Sequence, residues 1–364
     1  MDFDRILSLP PYSLPKKDKQ KLFIEHLNWL NTHHTKLCKP YRKIQSAYGT
    51  LGKQFSDIED FPSLPVRIFK EFNLKSISEK NVIKTLTSSG TTSNKVSKIY
   101  LDRTTAMYQT KVLSKIVQDF IGKKRLPMII IDSEKVIKNR QSFSARGAGI
   151  LGFSNFGYDH LYLLDEDMNP KLDELHGFLE KHCDKKILLF GFTFMVWQHF
   201  YHEIRKISRD IDLRNGIVIH GGGWKKLNEI SVDGAAFKQA LNDAWGIKRI
   251  YNFYGMVEQV GSVFMECEEG FLHAPIFSDI IVRNLKDWSV LDFHRQGVVE
   301  TLSILQYSYP GHVLVTEDLG EIYGEDDCAC GRLGKYFLIH GRIPRAEIRG
   351  CSDTYAQREI KHAV

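Results

Sequence analysis

The chain of 364 residues has no apolar run approaching the roughly 18 residues that a membrane-spanning helix needs, so a helical membrane span is not expected. Its first ten residues, Met1 to Pro10, include Asp2 and Asp4 and lack the apolar centre of a secretory leader, so the expected location is the cytoplasm. No internal repeat and no low-complexity tract appears, which sets aside solenoid and linker-like architectures. Cysteine is sparse: Cys38, Cys183, Cys267, Cys328, Cys330 and Cys351. In a cytoplasmic chain these are reduced thiols, so metal binding or catalysis is expected ahead of disulfides. Charge of one sign is also lacking. The formal net charge is +6, and the basic residues are dispersed apart from short runs at Lys16 to Lys21 and Lys123 to Arg125. A nucleic-acid protein would carry a denser basic stripe, so no nucleic-acid partner is expected. The slight positive bias suits an anionic small-molecule substrate.

What is present is ordinary for a globular protein, with 43% hydrophobic and 26% charged residues. Apolar spacing predicts a helix over Lys17 to His33, with Leu22, Phe23, His26, Leu27 and Leu30 in register. A strand over Val82 to Leu86 and a helix over Arg103 to Ile121 follow. From there the predicted elements alternate. Strands at Pro127 to Ile131, Ile187 to Phe190, Gly216 to His220 and Arg249 to Phe253 are interleaved with helices at Lys171 to His182, Phe194 to Ile207 and Asp233 to Trp245. That alternation predicts an α/β fold with parallel sheet. After residue 260 only strand-like segments remain, at Ser278 to Val282, Val298 to Leu305 and His312 to Val315. The expected division is an α/β core at 1–260, a β-rich subdomain at 261–344 and a short hinge or tail at 345–364.

Chemistry concentrates first in Leu86-Thr87-Ser88-Ser89-Gly90-Thr91-Thr92-Ser93. A glycine among serines and threonines after a strand gives backbone N–H groups free to turn toward an anion, and hydroxyls that add further donors. The composition also fits a plain polar turn. It is not a Walker A loop, because no Gly-Lys-Ser/Thr ending follows.

This loop resembles the phosphate loop of adenylate-forming enzymes, with Ser89-Gly90-Thr91-Thr92 matching its core. Ser93, Lys95 and Val96 replace the usual glycine, proline and lysine, and Lys98 stands two residues later as the candidate catalytic charge. Further resemblances follow in the family's order. Gly221-Gly222-Gly223 matches the glycine-rich adenine contact. Tyr254-Gly255-Met256-Val257-Glu258 matches the Tyr-Gly-x-Thr-Glu motif, with valine in place of threonine. There the tyrosine stacks on adenine and the glutamate helps to hold magnesium. Thr316-Glu317-Asp318 resembles the motif whose aspartate binds the ribose hydroxyls, and Gly341-Arg342 resembles the pair before the mobile C-terminal domain. The resemblance implies an enzyme that activates a carboxylic acid with ATP and Mg2+. It also implies an N-terminal-domain-like adenylate-forming fold, with parallel and mixed sheets and a small β-rich subdomain.

The sequence ends 22 residues after Arg342, so the full mobile C-terminal domain is expected to be absent. Arg349-Gly350-Cys351, Gly222-Gly223-Trp224-Lys225 and Ser308-Tyr309-Pro310-Gly311 resemble the acyl-protein synthetase (LuxE) family of bacterial luminescence systems. That resemblance implies a fatty-acid–protein ligase that passes the acyl group to its own cysteine, matched here by Cys351, and then to a reductase of the LuxC kind. Two alternatives stay open at this point: a ligase using coenzyme A as acceptor, and a non-catalytic acyl-nucleotide-binding or scaffold subunit. The aromatic segments 153–158 and 190–201 read either as an acyl pocket or as core. Finally, Cys267, His273, Cys328 and Cys330 make a plausible tetrahedral zinc set that would staple the β-rich region. A related Cys-x-Cys-Gly-Arg occurs in the phenylacetate–CoA ligase branch.

Overall fold

The structure, a computed structural model, describes residues 3–88, 96–138, 145–207, 211–224 and 232–343. The described residues 3–88, 96–120 and 255–343 form one compact unit, and those within 121–254 form another.

The first unit opens with a short helix, Phe3–Ser8, and the long helix Lys16–Leu37. The long helix buries Phe23, Leu27, Leu30 and His34 at spacings of three and four, the stripe expected of a surface helix. It extends four residues past the predicted end. Strand β1 (Leu64–Pro65) and the hairpin β2 (Lys84–Thr87)–β3 (Lys98–Leu101) follow, and then the helix Arg103–Ile121 falls on its predicted bounds.

The second unit is a five-stranded parallel sheet: β4 (Leu126–Ser133), β5 (Gly157–Leu164), β6 (Ile187–Phe192), β7 (Gly216–Gly221) and β8 (Arg249–Tyr254). The pairings run β5-β4-β6-β7-β8 and all are parallel. The strand order therefore reverses between β4 and β6, the doubly wound arrangement. Strands β6 and β7 are buried at every residue, which explains their unbroken apolar runs. The helix Gly234–Trp245 shows how local sequence fixes an element. The Asp233 side chain accepts from the Ala236 N–H at 2.7 Å at its start, and Gly246, at φ 73°, ends it in the left-handed conformation.

One expected helix takes a different form. Phe194 to Ile207 is broken into an α turn at Thr193–Met195, a π-helix at Val196–Ile204 and a last α turn at Arg205–Ile207. The wider winding buries Val196, Trp197, Phe200, Tyr201 and Ile204 together in the core of this unit. Phe153, Phe156, Phe190 and Phe192 are also at most 6% exposed, so both aromatic segments serve here as core.

The chain then returns to the first unit with β9 (Phe264–Glu266), β10 (Leu272–His273), β11 (Ser278–Arg283), β12 (Gly297–Ser303), β13 (Val313–Glu325) and β14 (Lys335–Arg342). Within this unit they pair antiparallel in the order β11-β12-β13-β14-β10-β9, and β1 adds to β13 in parallel. Strand β13 runs ten residues beyond its predicted end, with register shifts near Gly320 and Gly324 against β14. No helix among the described residues is long and apolar enough to cross a membrane.

Candidate active site

The residues expected to meet a nucleotide are distributed over both units, and each group is built locally. In the first unit the hairpin β2–β3 forms the neck of the Ser/Thr/Gly loop. The Ser88 N–H donates to the Ser97 carbonyl at 3.2 Å, and the Ser97 N–H donates to Ser88 Oγ at 3.0 Å. Lys98 starts β3, opposite Thr87, with its side chain exposed. Ser89, Gly90, Thr91 and Thr92 lie outside the described residues.

Glu258 sits in the short 3-10 turn Val257–Gln259 and is 7% exposed. Burial pushes its carboxyl above the usual glutamate range, against the opposing pull of Ser97, Lys70 and Arg342. The turn is held by the strap Gln306 to His312. Tyr309, fully buried, donates its hydroxyl to the Glu258 carbonyl at 2.9 Å. The Gln259 amide donates to the carbonyls of Gly311 at 2.8 Å and Thr301 at 3.2 Å. A Cβ at Gly311 would stand 2.9 Å from the Glu258 carbonyl and 2.4 Å from the Tyr309 ring, so only glycine permits this approach. On its other side, Ser308 donates its hydroxyl to the Tyr100 carbonyl on β3 at 2.8 Å. One strap thus ties the Glu258 turn to the base of the loop hairpin. In the sequence Ser308 to Gly311 stands out only as a family feature. Its bridging role depends on contacts more than 50 residues apart.

Asp318 and Arg342 are cross-strand partners on β13 and β14, with Oδ1 and Nε 3.4 Å apart. Arg342 also lies 3.6 Å from Glu317, which pairs with Arg67 at 2.7 Å. Lys70 and, more weakly, Arg342 are the cations that act on the Glu258 carboxyl.

In the second unit Gly221 ends β7 in register with Phe253 of β8, and Tyr254 closes β8, half-buried. A Cβ at Gly221 would stand 2.4 Å from the Phe253 ring, and Gly222 holds φ +81°. Gly222 and Gly223 follow, exposed, just beyond the carboxyl end of β7. Just before them the buried His220 ring shares a hydrogen bond with Thr193 Oγ1 at 2.9 Å. Burial presses its pKa down to about 3, so it is neutral at physiological pH. Its position before three glycines was the only signal in the sequence. Gly255 follows Tyr254 and is exposed. Cys351 lies outside the described residues.

A separate cluster in the first unit joins two tight turns. Cys267 and His273 flank the β9–β10 turn, where Gly270 takes φ +86°. Cys328 and Cys330 lie in the β13–β14 turn, where Gly331 takes φ +78°. The four donor atoms all lie within 4.8 Å of one another. Cys267 Sγ and Cys328 Sγ are 4.0 Å apart, and Cys330 Sγ and His273 Nε2 3.3 Å. Tetrahedral zinc–thiolate bonds of about 2.3 Å place donors roughly 3.8 Å apart, so the set fits zinc after a small contraction. Burial holds His273 neutral, with its pKa lowered to about 4, and pushes the Cys328 thiol up to about 12. Arg332 secures the second turn. Its guanidinium pairs with Asp119 at 2.9 Å and Glu268 at 2.6 Å and lies 4.2 Å from the centre of the Phe120 ring.

With this geometry established, comparisons identify the relatives. The family model for acyl-protein synthetase, LuxE, matches residues 2–359. A long-chain-fatty-acid–luciferin-component ligase of Aliivibrio fischeri is 26% identical over 278 residues, covering 72% of this chain and 69% of that protein. Its counterpart in Vibrio harveyi is 23% identical over 328 residues, covering 87% and 82%. Among solved structures, an open conformation of 2-hydroxyisobutyryl-CoA ligase superposes with TM-score 0.69 at 13% identity, covering 91% of this chain and 71% of that one. This likeness shows the fold, that of the adenylate-forming ligases.

Proposed function

Because the chain belongs to the acyl-protein synthetase (LuxE) family, we propose that it activates a long-chain fatty acid with MgATP and then carries the acyl group on its own Cys351. The observation that most supports adenylation is the strap that ties the Glu258 turn, through Tyr309, to the base of the loop hairpin, through Ser308.

In the first step a carboxylate oxygen of the fatty acid attacks the α-phosphorus of ATP. The new O–P bond gives acyl-adenylate, and pyrophosphate leaves. Two anions must approach each other, so the donors of Ser88, Ser89, Gly90, Thr91 and Thr92, with Lys98, would meet the triphosphate. Glu258 would hold a magnesium ion, which offsets the remaining negative charge. Gly221, Gly222, Gly223, Tyr254 and Gly255 would flank the adenine, and Asp318 would take the ribose hydroxyls beside Arg342. In the second step the Cys351 thiolate attacks the acyl carbonyl and AMP leaves with the bonding pair, giving a thioester. Tethering raises the thiol's effective concentration at the adenylate without a separate acceptor. A thioester on a short arm also suits delivery to a partner reductase of the LuxC kind.

Intact mass spectrometry after incubation with ATP and a panel of fatty acids tests the whole reading. The expected result is a protein mass increase equal to one acyl group, dependent on ATP and released by neutral hydroxylamine. No mass increase, with acyl-CoA formed only when coenzyme A is added, would reject the cysteine acceptor.

The strap carries its own prediction. Tyr309→Phe removes one hydroxyl from a buried carbonyl at a cost of about 1–2 kcal/mol in stability. It is expected to slow fatty-acid-dependent ATP–pyrophosphate exchange about tenfold through kcat. Combined with Glu258→Gln it should slow exchange little further, because both act through the same carboxyl. Fully additive losses in that double variant would show that Tyr309 does not act through Glu258.

The Cys/His cluster fits structural Zn2+, held by Cys267, His273, Cys328 and Cys330. Bound zinc would close two turns in a sheet that has few helices to cover it. Purified protein should contain one zinc per chain by elemental analysis. At roughly a thousandfold excess of free zinc over Kd the metal adds about 4 kcal/mol. A strong chelator or Cys328→Ser should therefore lower Tm by several degrees. An unchanged Tm on zinc removal would contradict a structural role.

A further inference from the structure

The strap Gln306 to His312 reaches the Glu258 turn through Tyr309 and the loop hairpin through Ser308. Its footing lies on the long helix Lys16–Leu37. His34 Nε2 stands 2.8 Å from the Gln306 carbonyl, His33 Nε2 stands 3.0 Å from the Tyr307 carbonyl, and the Ser76 N–H donates to the Ser308 carbonyl at 2.7 Å. Successive strap carbonyls are thus each held from one side. A carbonyl only accepts, so both rings carry a proton on Nε2. In His34 this leaves Nδ1 as an acceptor, and it receives the Ser76 hydroxyl at 2.7 Å. Ser76 therefore orients the ring with its side chain and holds the strap with its backbone.

The far end of the strap returns to the same helix. Tyr41, on helix Lys39–Ala47, donates its hydroxyl to Asn31 Oδ1 at 2.8 Å, and that hydroxyl lies 3.3 Å from His312 Nε2. Asn31 and His34 are one helical turn apart and share a face. The His34 and His312 rings stack with centroids 5.1 Å apart and planes 24° apart. His34 and Tyr41 are fully buried, and Asn31 and His312 nearly so. Burial holds both rings well below the usual histidine range, His312 at about 3, so they stack as neutral groups at physiological pH. Apolar side chains could seat a helix here without the cost of burying polar groups. What a satisfied polar network adds is a fixed position for the main chain that it holds. The residues so fixed include Ser308 and Tyr309, whose hydroxyls serve the loop hairpin and the Glu258 turn from adjacent positions.

We propose that His34, oriented by Ser76, and Asn31 with Tyr41, acting on His312, are positioning residues for adenylation: they set the strap, and through it the separation of the Glu258 turn from the loop hairpin. The proposal rests on the adenylation reading, in which those two elements act on the same triphosphate and must be spaced for it.

Fatty-acid-dependent ATP–pyrophosphate exchange by the full chain tests it, with amide hydrogen exchange of the unliganded protein as a second readout. His34→Leu is expected to lower kcat about tenfold with KM for ATP changed by no more than about threefold. It should also speed amide exchange in residues 97–101 and 255–262 together, while β13 and β14 keep their protection. His34→Gln keeps a donor nitrogen near the place of Nε2 and should restore kcat to within about threefold of the parent. Phe23→Leu, buried in the same helix about three turns away, should lower Tm and leave kcat unchanged, which separates position from stability. Combining His34→Leu with Tyr309→Phe should cost less than the product of the two losses, because both act through one strap. A kcat for His34→Leu no lower than that of Phe23→Leu would overturn the proposal, as would a His34→Gln rate as low as that of His34→Leu. A parent with no pyrophosphate exchange would reject the adenylation reading by itself. The positioning role is then decided by amide exchange: faster exchange in both segments of His34→Leu, reversed in His34→Gln, supports it, and unchanged exchange in either segment overturns it.

Discussion

Cys351→Ser is expected to abolish the ATP-dependent, hydroxylamine-labile acyl label, with at least a hundredfold loss of protein-bound product, while fatty-acid-dependent ATP–pyrophosphate exchange stays within a few-fold of normal. The two readouts divide because the two steps use different groups. Exchange reports the attack of a carboxylate on the α-phosphorus, which needs no thiol. The label reports capture of the acyl carbon, and there the nucleophile decides. A thiol with an ordinary pKa near 8.5 is roughly a few per cent thiolate at neutral pH, whereas a serine hydroxyl is essentially never ionised. Any ester formed on the substituted hydroxyl would also resist neutral hydroxylamine, so the chemistry of release identifies the bond as well as the residue. Loss of both label and exchange would place Cys351 in the folding or adenylation machinery. Retention of the label would move the acceptor to another thiol, and Cys183, exposed in the structure, would be the first alternative to replace. An acceptor outside the chain predicts a third pattern: exchange intact, no label on the parent or the variant, and thioester product only with added coenzyme A.

The sequence made parts of this architecture legible where local rules were sufficient. The parallel strands β6 and β7 announced themselves as apolar runs bounded by turns, because a strand covered on both faces needs apolar residues throughout. The helix Gly234–Trp245 carried both of its end signals, Asp233 and Gly246. The metal-type cluster was readable from residue type alone, although Cys267 and Cys328 stand 61 residues apart, because few other roles bring three cysteines and a histidine together. Other features had no local signature. Strand β5 (Gly157–Leu164) alternates irregularly, with His160 and Asp159 exposed in its middle, and it was not foreseen. The π winding at Val196–Ile204 depends on how five large side chains share one core, which periodicity cannot express. The grouping of the N-terminal helices with residues 255–343 depends on long-range pairings such as β1 with β13. For the site, motif order pointed to Glu258, Asp318 and Arg342. It did not reveal that Tyr309 and Gly311 clamp the turn on which Glu258 sits, since a hydroxyl 51 residues away leaves no mark on local spacing.

Glu258→Gln is expected to make the protein more stable and nearly inactive at once. The carboxyl is 7% exposed, and burial raises its pKa above that of a free glutamate. The folded state therefore binds the proton more tightly than the unfolded state. Between the unfolded and folded pKa values the native form holds more protons, so stability falls as pH rises through that window and stays lower above it. A neutral amide of nearly the same shape removes this cost. The variant should show a higher Tm than the parent at about pH 7, and the difference should vanish at pH values below the ordinary glutamate range. Activity runs the other way, because the ionised carboxylate is the form that holds magnesium, and its loss should lower kcat for exchange on the order of a hundredfold or more. The same raised pKa predicts that the acid limb of the parent's pH–rate profile lies above the range of an unperturbed glutamate, and that this limb is missing from the residual activity of Glu258→Gln. Thermal melts and exchange rates measured across the same pH series separate the possibilities. A variant that is both less stable and less active would mean that Glu258 is a structural carboxylate whose hydrogen bonds the fold requires. A variant of raised stability and normal rate would mean that the charge is unused in the reaction. Raised stability with a collapsed rate is the signature of a charge that the fold bears for the sake of the chemistry.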